Sequence, residues 1–86
     1  MNTFNLNLYS YLYEWDPFGI GLGNYDPEIS DIIQAVHVTD HVEQLTEKIQ
    51  QIFEFAFEKV PAREETKKVA KELLQMKLED ESCSLN

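Results

Sequence analysis

The chain is poor in cysteine, glycine, proline and cationic side chains, and each shortage narrows what it can be. Its one cysteine, Cys83, can close no disulfide within the chain, and a reducing cytoplasm is the compartment that fits such usage. Seven lysines and arginines face sixteen acids, for a net charge of −9. Binding to nucleic acid rests on cations that displace condensed counterions, so no nucleic-acid partner is expected, whereas a basic protein surface is attracted. No apolar run approaches the ~18 residues of a membrane span, and no basic region opens the chain as in a secretory signal. Neither membrane insertion nor export is therefore expected. The 86 residues, 43% of them hydrophobic, suffice for one domain with one small core.

All three glycines and two of the three prolines fall in one stretch, Trp15-Asp16-Pro17-Phe18-Gly19-Ile20-Gly21-Leu22-Gly23-Asn24-Tyr25-Asp26-Pro27. Surface loops are polar, yet this one carries large apolar side chains, so it is expected to dock on the core as a structural loop. Asp16 can close a turn with its carboxylate, Pro17 fixes φ and Gly19 permits a left-handed residue, while Trp15 and Tyr25 supply the buried area. Trp15 is expected to be largely buried against the third helix. Gly19-x-Gly21-x-Gly23 matches neither dinucleotide nor phosphate-loop spacing, and no βαβ pattern surrounds it, so no nucleotide or other cofactor is expected.

Four helices account for the rest. Residues 3–14 alternate as a strand would at Phe4-Asn5-Leu6-Asn7-Leu8, but no second strand pattern exists to pair with them. At 100° per residue Phe4, Leu8, Tyr11, Leu12 and Trp15 share a helical face, and Asn2 or Thr3 serves as cap. Asp26 as cap and Pro27 at the first position open a second helix with Ile29, Ile32, Ile33 and Val36 inward. Asp40 and Glu43 read as a capping box, with Thr39 as a competing cap. They open a third helix whose stripe is Val42, Leu45, Ile49, Ile52, Phe53, Ala56 and Val60, stopped by Pro61. A fourth helix begins at Pro61 and turns Ala62, Val69, Leu73 and Met76 inward, with Ala70 and Leu74 flanking. The reading is all-α, a bundle of about four helices over residues 1–79 carrying the aromatic, glycine-rich loop on its core. Residues 80–86 form a polar tail expected to be disordered.

On the third helix Glu43, Glu47, Glu54 and Glu58 project on one side, opposite the apolar stripe, as a ridge that could meet a basic partner. Phe55 lies about 120° from the centre of that stripe, so it either packs under the loop or marks an exposed contact. His37 and His41 offer two imidazoles at i,i+4, but the caps between them break the helix, and no third ligand is placed beside them. No residues suggest a nucleophile with a base beside it, so an enzyme is not expected.

The spacing Trp15-Asp16-Pro17-x-Gly19, then Tyr25-x-Pro27-Glu28, Ile32 or Ile33, and the later Leu45, Ile49 and Ile52 resembles the YugE-type proteins, a bacterial family of unknown function. The resemblance covers roughly residues 4–78. It implies an all-helical domain of about four helices and brings no catalytic residue. The Trp-Asp-Pro-Gly opening is also similar to that of some small immunity-type proteins, which implies a binding partner. Together these lead to a small, acidic, cytoplasmic, non-enzymatic interaction module, monomer or homodimer. The alternative is a small metal- or ligand-binding protein that uses the Trp15–Tyr25 loop with His37 and His41.

Overall fold

A computed structural model describes residues 3–84, with side chains through residue 81. It holds α1 (Thr3–Tyr13), α2 (Asp26–Val38), α3 (Val42–Phe57) and α4 (Arg63–Ser84), and no strand among the described residues. The third helix is central, packed on α2 and α4, while α1 lies across α2 and reaches α4. Among the described residues no helix is long and apolar enough to cross a membrane.

The core follows the helical phases read from the sequence. Phe4, Leu8 and Leu12 of α1 are buried, as are Ile29, Ile32, Ile33 and Val36 of α2 and Leu45, Ile49 and Phe53 of α3. Val69, Ala70 and Leu73 complete it from α4. The strand alternative for α1 fails because a helix satisfies its own backbone, whereas a lone strand has nothing to pair with.

The helix ends differ from expectation, and the differences share a cause. Tyr25, not Asp26, is the residue before α2, and no side chain caps that helix. Asp26 instead accepts a hydrogen bond from the Tyr9 hydroxyl of α1 at 3.0 Å. His41, not Asp40 or Thr39, precedes α3, again without a side-chain cap. Asp40 is drawn off by Lys77 of α4, 2.9 Å away. Thr3 lies inside α1 rather than capping it, and Asn2 lies outside the described residues. In each of the two cap corrections a carboxylate close to its own helix end has found a more distant partner.

Helix α3 stops at Phe57, four residues short of Pro61, where Glu58 turns left-handed at φ 59° and its N–H returns to the Glu54 carbonyl. Past that turn the helical phase is lost, which explains why Val60 is exposed rather than part of the stripe. Ala56, one residue before the end, is exposed as well. The link to α4 is fixed by Gln50, whose amide donates to the Pro61 carbonyl at 2.9 Å, and by Thr66, whose hydroxyl donates to the Ala62 carbonyl at 2.9 Å. Helix α4 then runs to Ser84, so residues 80–84 are helical where a disordered tail was expected. Extending an existing helix fixes one residue per added hydrogen bond, so polar residues continue it readily. Residues 85 and 86 lie outside the described ones.

Candidate functional site

The loop between α1 and α2 is organised by one carboxylate. Asp16 accepts the backbone N–H of Ile20 at 3.0 Å and of Gly21 at 2.9 Å, and also the hydroxyl proton of Tyr25. The Tyr25 hydroxyl in turn accepts the N–H of Phe18 at 3.2 Å. That bond from Tyr25, supported by the loop amides, holds the Asp16 carboxyl below the usual carboxylate range. Burial, and then the same bond, push the Tyr25 hydroxyl upward. Gly19 sits at φ +66°, as the turn expected, and Gly21 at φ +104° has Asn24 Nδ2 3.1 Å from where a Cβ would stand. Pro17 is half-buried beside them.

The loop's aromatic side chains meet on α3. Tyr25 is 1% exposed and lies edge-on to Phe53 and Phe57, and Phe18 joins both. Lys59 covers the Phe18 ring from 4.7 Å. Trp15 packs edge-on against Phe53, with centroids 5.5 Å apart, yet it is only half-buried, because its indole N–H reaches out to Glu65 at 2.8 Å. Tyr25, rather than Trp15, is the buried anchor. Every polar group of this cluster that titrates abnormally is spent on holding the loop closed.

The acidic ridge divides in two. Glu47 accepts Arg63 at 2.8 Å, and Glu43 is bound by Lys67 at 2.8 Å and Arg63 at 3.4 Å. Lys67 therefore lowers the Glu43 carboxyl, and Glu47 keeps the Arg63 guanidinium more firmly charged. These two acids fasten α3 to α4. Glu54 and Glu58 are exposed, Glu58 in the left-handed turn. Phe55 belongs to neither half, standing about 100° around the helix from Glu54 and about 80° from Glu47.

Phe55 is 93% exposed and does not pack under the loop. At the turn end of α2, Val38 is 77% exposed. With Ala35 and Ile52 they line an open groove of about 600 Å³ between α2 and α3, bounded by Asp31 and Lys48. Of this face only Phe55 stood out in the sequence. A signal for Val38 was present in its phase, about 200° from Val36 and so off the buried stripe. A second apolar position on an already amphipathic helix is the mark of such a face.

His37 is turned toward α1, its Nε2–H donating to Asn5 Oδ1 at 2.7 Å and its ring meeting the edge of Phe4. His41 immediately precedes α3 and α2 ends at Val38, so the helix break between the two histidines falls where the sequence placed it. Among the described residues no three His, Cys, Asp or Glu side chains gather as a metal site.

Residues 7–84 match the family model described as Domain of unknown function (DUF1871). The chain is 38% identical over 71 residues to the Bacillus subtilis (strain 168) protein called Uncharacterized protein YugE, an alignment that covers 83% of this chain and 81% of that one. A crystal structure of a protein from Bacillus stearothermophilus superposes with a TM-score of 0.85 at 36% identity, covering 90% of this chain and 95% of the other.

Proposed function

The chain belongs to the DUF1871 family, and on that premise we propose that it is a non-enzymatic, cytoplasmic protein-interaction module whose contact face is the α2–α3 surface around Phe55. The supporting observation is the exposure of Phe55, 93%, and of Val38, 77%, along one groove between two helices whose other large apolar residues are buried or half-buried. A phenylalanine held in water forgoes roughly 1.5–3 kcal/mol of burial, and a groove lined by such side chains is a candidate interaction site. The titrating groups support the non-enzymatic part. Asp16, Asp40 and Glu43 are lowered and Tyr9, Tyr25 and Arg63 raised, each while engaged in a bond that joins one element to another, and Tyr11 is raised by burial.

The acidic ridge enters this reading in a reduced form. Glu43 and Glu47 are paired within the chain, which leaves Glu54 and Glu58, on the ridge side of α3 away from the Phe55 groove, as the acids still open to a basic surface. Site-specific crosslinking in living cells tests the proposal. A benzophenone amino acid in place of Phe55 is expected to give adducts of defined mass, while the same group in place of the exposed Lys68 on α4 gives none. Equal labelling at both positions, or none at position 55, overturns it.

A further inference from the structure

We infer that the partner of the Phe55 face is a second copy of this chain, related by a two-fold axis that runs along the α2–α3 groove. The inference rests on the reading of that face just given.

Charge carries the argument. The molecule as a whole is strongly acidic, with a net charge of −9, and most of its surface repels another copy of itself. The groove is not part of that acidic surface. Its walls carry one acid and one base, Asp31 on α2 and Lys48 on α3, and the other polar residues lining it are the neutral Gln34 and Gln51. A surface that is neutral and apolar at its centre on an otherwise anionic molecule is where like molecules can approach.

The positions of the two charges also select a symmetry. The helices are joined by a short turn at residues 39–41, so they run in opposite directions from it. At 1.5 Å per residue, Asp31 lies about 10 Å from the turn end of α2 and Lys48 about 9 Å from the turn end of α3. They stand at one level on opposite walls. A two-fold axis along the groove lays α2 of each copy over α3 of the other, so Asp31 faces the partner's Lys48, and the reciprocal pair forms as well. An axis across the groove would instead set Asp31 on Asp31 and Lys48 on Lys48. The first arrangement brings unlike charges together twice, and the second brings like charges together twice. Val38 and Phe55, which line the groove itself, then lie near the axis and are covered by their own counterparts. The result is a four-helix contact formed from two α2–α3 hairpins. The face measures about 20 by 20 Å, the footprint of a small interface, so the dimer should be of modest strength.

Sedimentation equilibrium of the purified chain tests this. The wild type should pass from monomer to dimer as its concentration rises through the micromolar range, and Phe55→Ser should remain a monomer. Because Phe55 is exposed, an unchanged circular dichroism spectrum and melting temperature will show that this variant still folds. The charge variants are the more specific arm. Asp31→Lys alone and Lys48→Asp alone should each weaken self-association by about tenfold, since each sets like charges face to face. Mixing those two variants should restore dimers, because the lysine introduced at position 31 of one then meets the aspartate introduced at position 48 of the other, while the native Lys48 of the first meets the native Asp31 of the second. The double variant Asp31→Lys/Lys48→Asp should dimerise by itself. A wild type that stays monomeric to about 1 mM, the range of very weak association, overturns the inference. So does a mixture of the two single variants that fails to associate. If position 55 crosslinks to a different protein in cells while the purified chain is monomeric, the second copy is wrong and the contact face stands. If position 55 crosslinks to nothing, both fall.

Discussion

The hydroxyl of Tyr25 donates to the carboxylate of Asp16, and this bond ties the α1–α2 loop to the residue that immediately precedes α2. The two groups do different work. Asp16 gathers the amides of Ile20 and Gly21, which gives the loop its shape, while the Tyr25 ring lies on Phe53 and Phe57, which gives the loop its place. Shape and placement are therefore coupled at a single oxygen.

That coupling should be visible as a dependence of stability on pH. The Asp16 carboxyl is lowered in the folded chain, so its contribution is present above the unfolded value of about 4 and is lost as pH falls through the folded value. Asp40 and Glu43, lowered by Lys77 and Lys67, act in the same direction. The Tyr25 hydroxyl is raised, so its contribution is complete below about 10 and is lost as pH rises through the folded value. The melting temperature of the wild type should exceed that of Tyr25→Phe on a plateau between these limits, and the gap should narrow below about pH 4 and above about pH 10. A gap that stays constant across the range would dissociate the bond from stability.

The same cluster ranks two truncations. Phe53 is 1% exposed and touches Trp15, Phe18, Tyr25 and Phe57, so Phe53→Ala should cost about 3–5 kcal/mol. Trp15 is half-buried and shares one side with water, so Trp15→Ala should cost less, about 1–3 kcal/mol. Urea unfolding followed by far-ultraviolet circular dichroism measures both. The reverse order would mean that the indole, not the α3 phenyl ring, anchors the loop.

Much of this architecture is legible in the sequence, and what is not has a definable cause. The phases of Phe4, Leu8 and Leu12, of Ile29, Ile32, Ile33 and Val36, and of Leu45, Ile49 and Phe53 point to the buried faces because helical geometry is local. The Asp16–Gly19 turn is legible for the same reason. The caps are not. Asp26 and Asp40 stand where capping residues belong, but Tyr9 and Lys77, distant in sequence, compete for their oxygens. The ridge is only partly legible in the same way, since helical spacing shows that Glu43 and Glu47 share a face but not that α4 brings Arg63 and Lys67 to it. Phe55 is legible as out of phase. That its face is left uncovered depends on where the loop docks, and the loop spends its rings on Phe53 and Phe57 instead.

The divided ridge predicts opposite responses to charge removal. Glu43→Gln and Glu47→Gln each break an ion pair between α3 and α4 and should lower the melting temperature. Glu54→Gln and Glu58→Gln break no ion pair among the described residues and relieve a like-charged i,i+4 repulsion, so they should leave it unchanged or raise it slightly. The measurement should be made at low salt, where these differences are largest. Four equal effects would mean that the ridge behaves as one surface.

Lys77 and Thr39 set the sharpest contrast, because the same turn holds a fully satisfied cation and an unsatisfied hydroxyl. The Lys77 ammonium, on a side chain 14% exposed, donates to the carbonyls of Val36 at 2.9 Å, Thr39 at 3.2 Å and His37 at 3.4 Å, and to Asp40 at 2.9 Å. It thereby satisfies the last carbonyls of α2, which no residue of α2 itself can reach. Lys77→Met keeps the apolar stem and removes these bonds, and it should cost about 1.5–3 kcal/mol, the range for hydrogen bonds to a charged group. Thr39, in the same turn, is 2% exposed and its Oγ1 has no hydrogen-bond partner among the described residues. A buried hydroxyl without a partner carries a desolvation cost that an isosteric methyl does not, so Thr39→Val should raise stability by about 1 kcal/mol. Hydrogen exchange at the amides of residues 38–41 localises both effects, with faster exchange in Lys77→Met and slower in Thr39→Val. If both variants destabilise the turn, the Thr39 hydroxyl is contributing a bond, and the α2–α3 connection is held by more than Lys77.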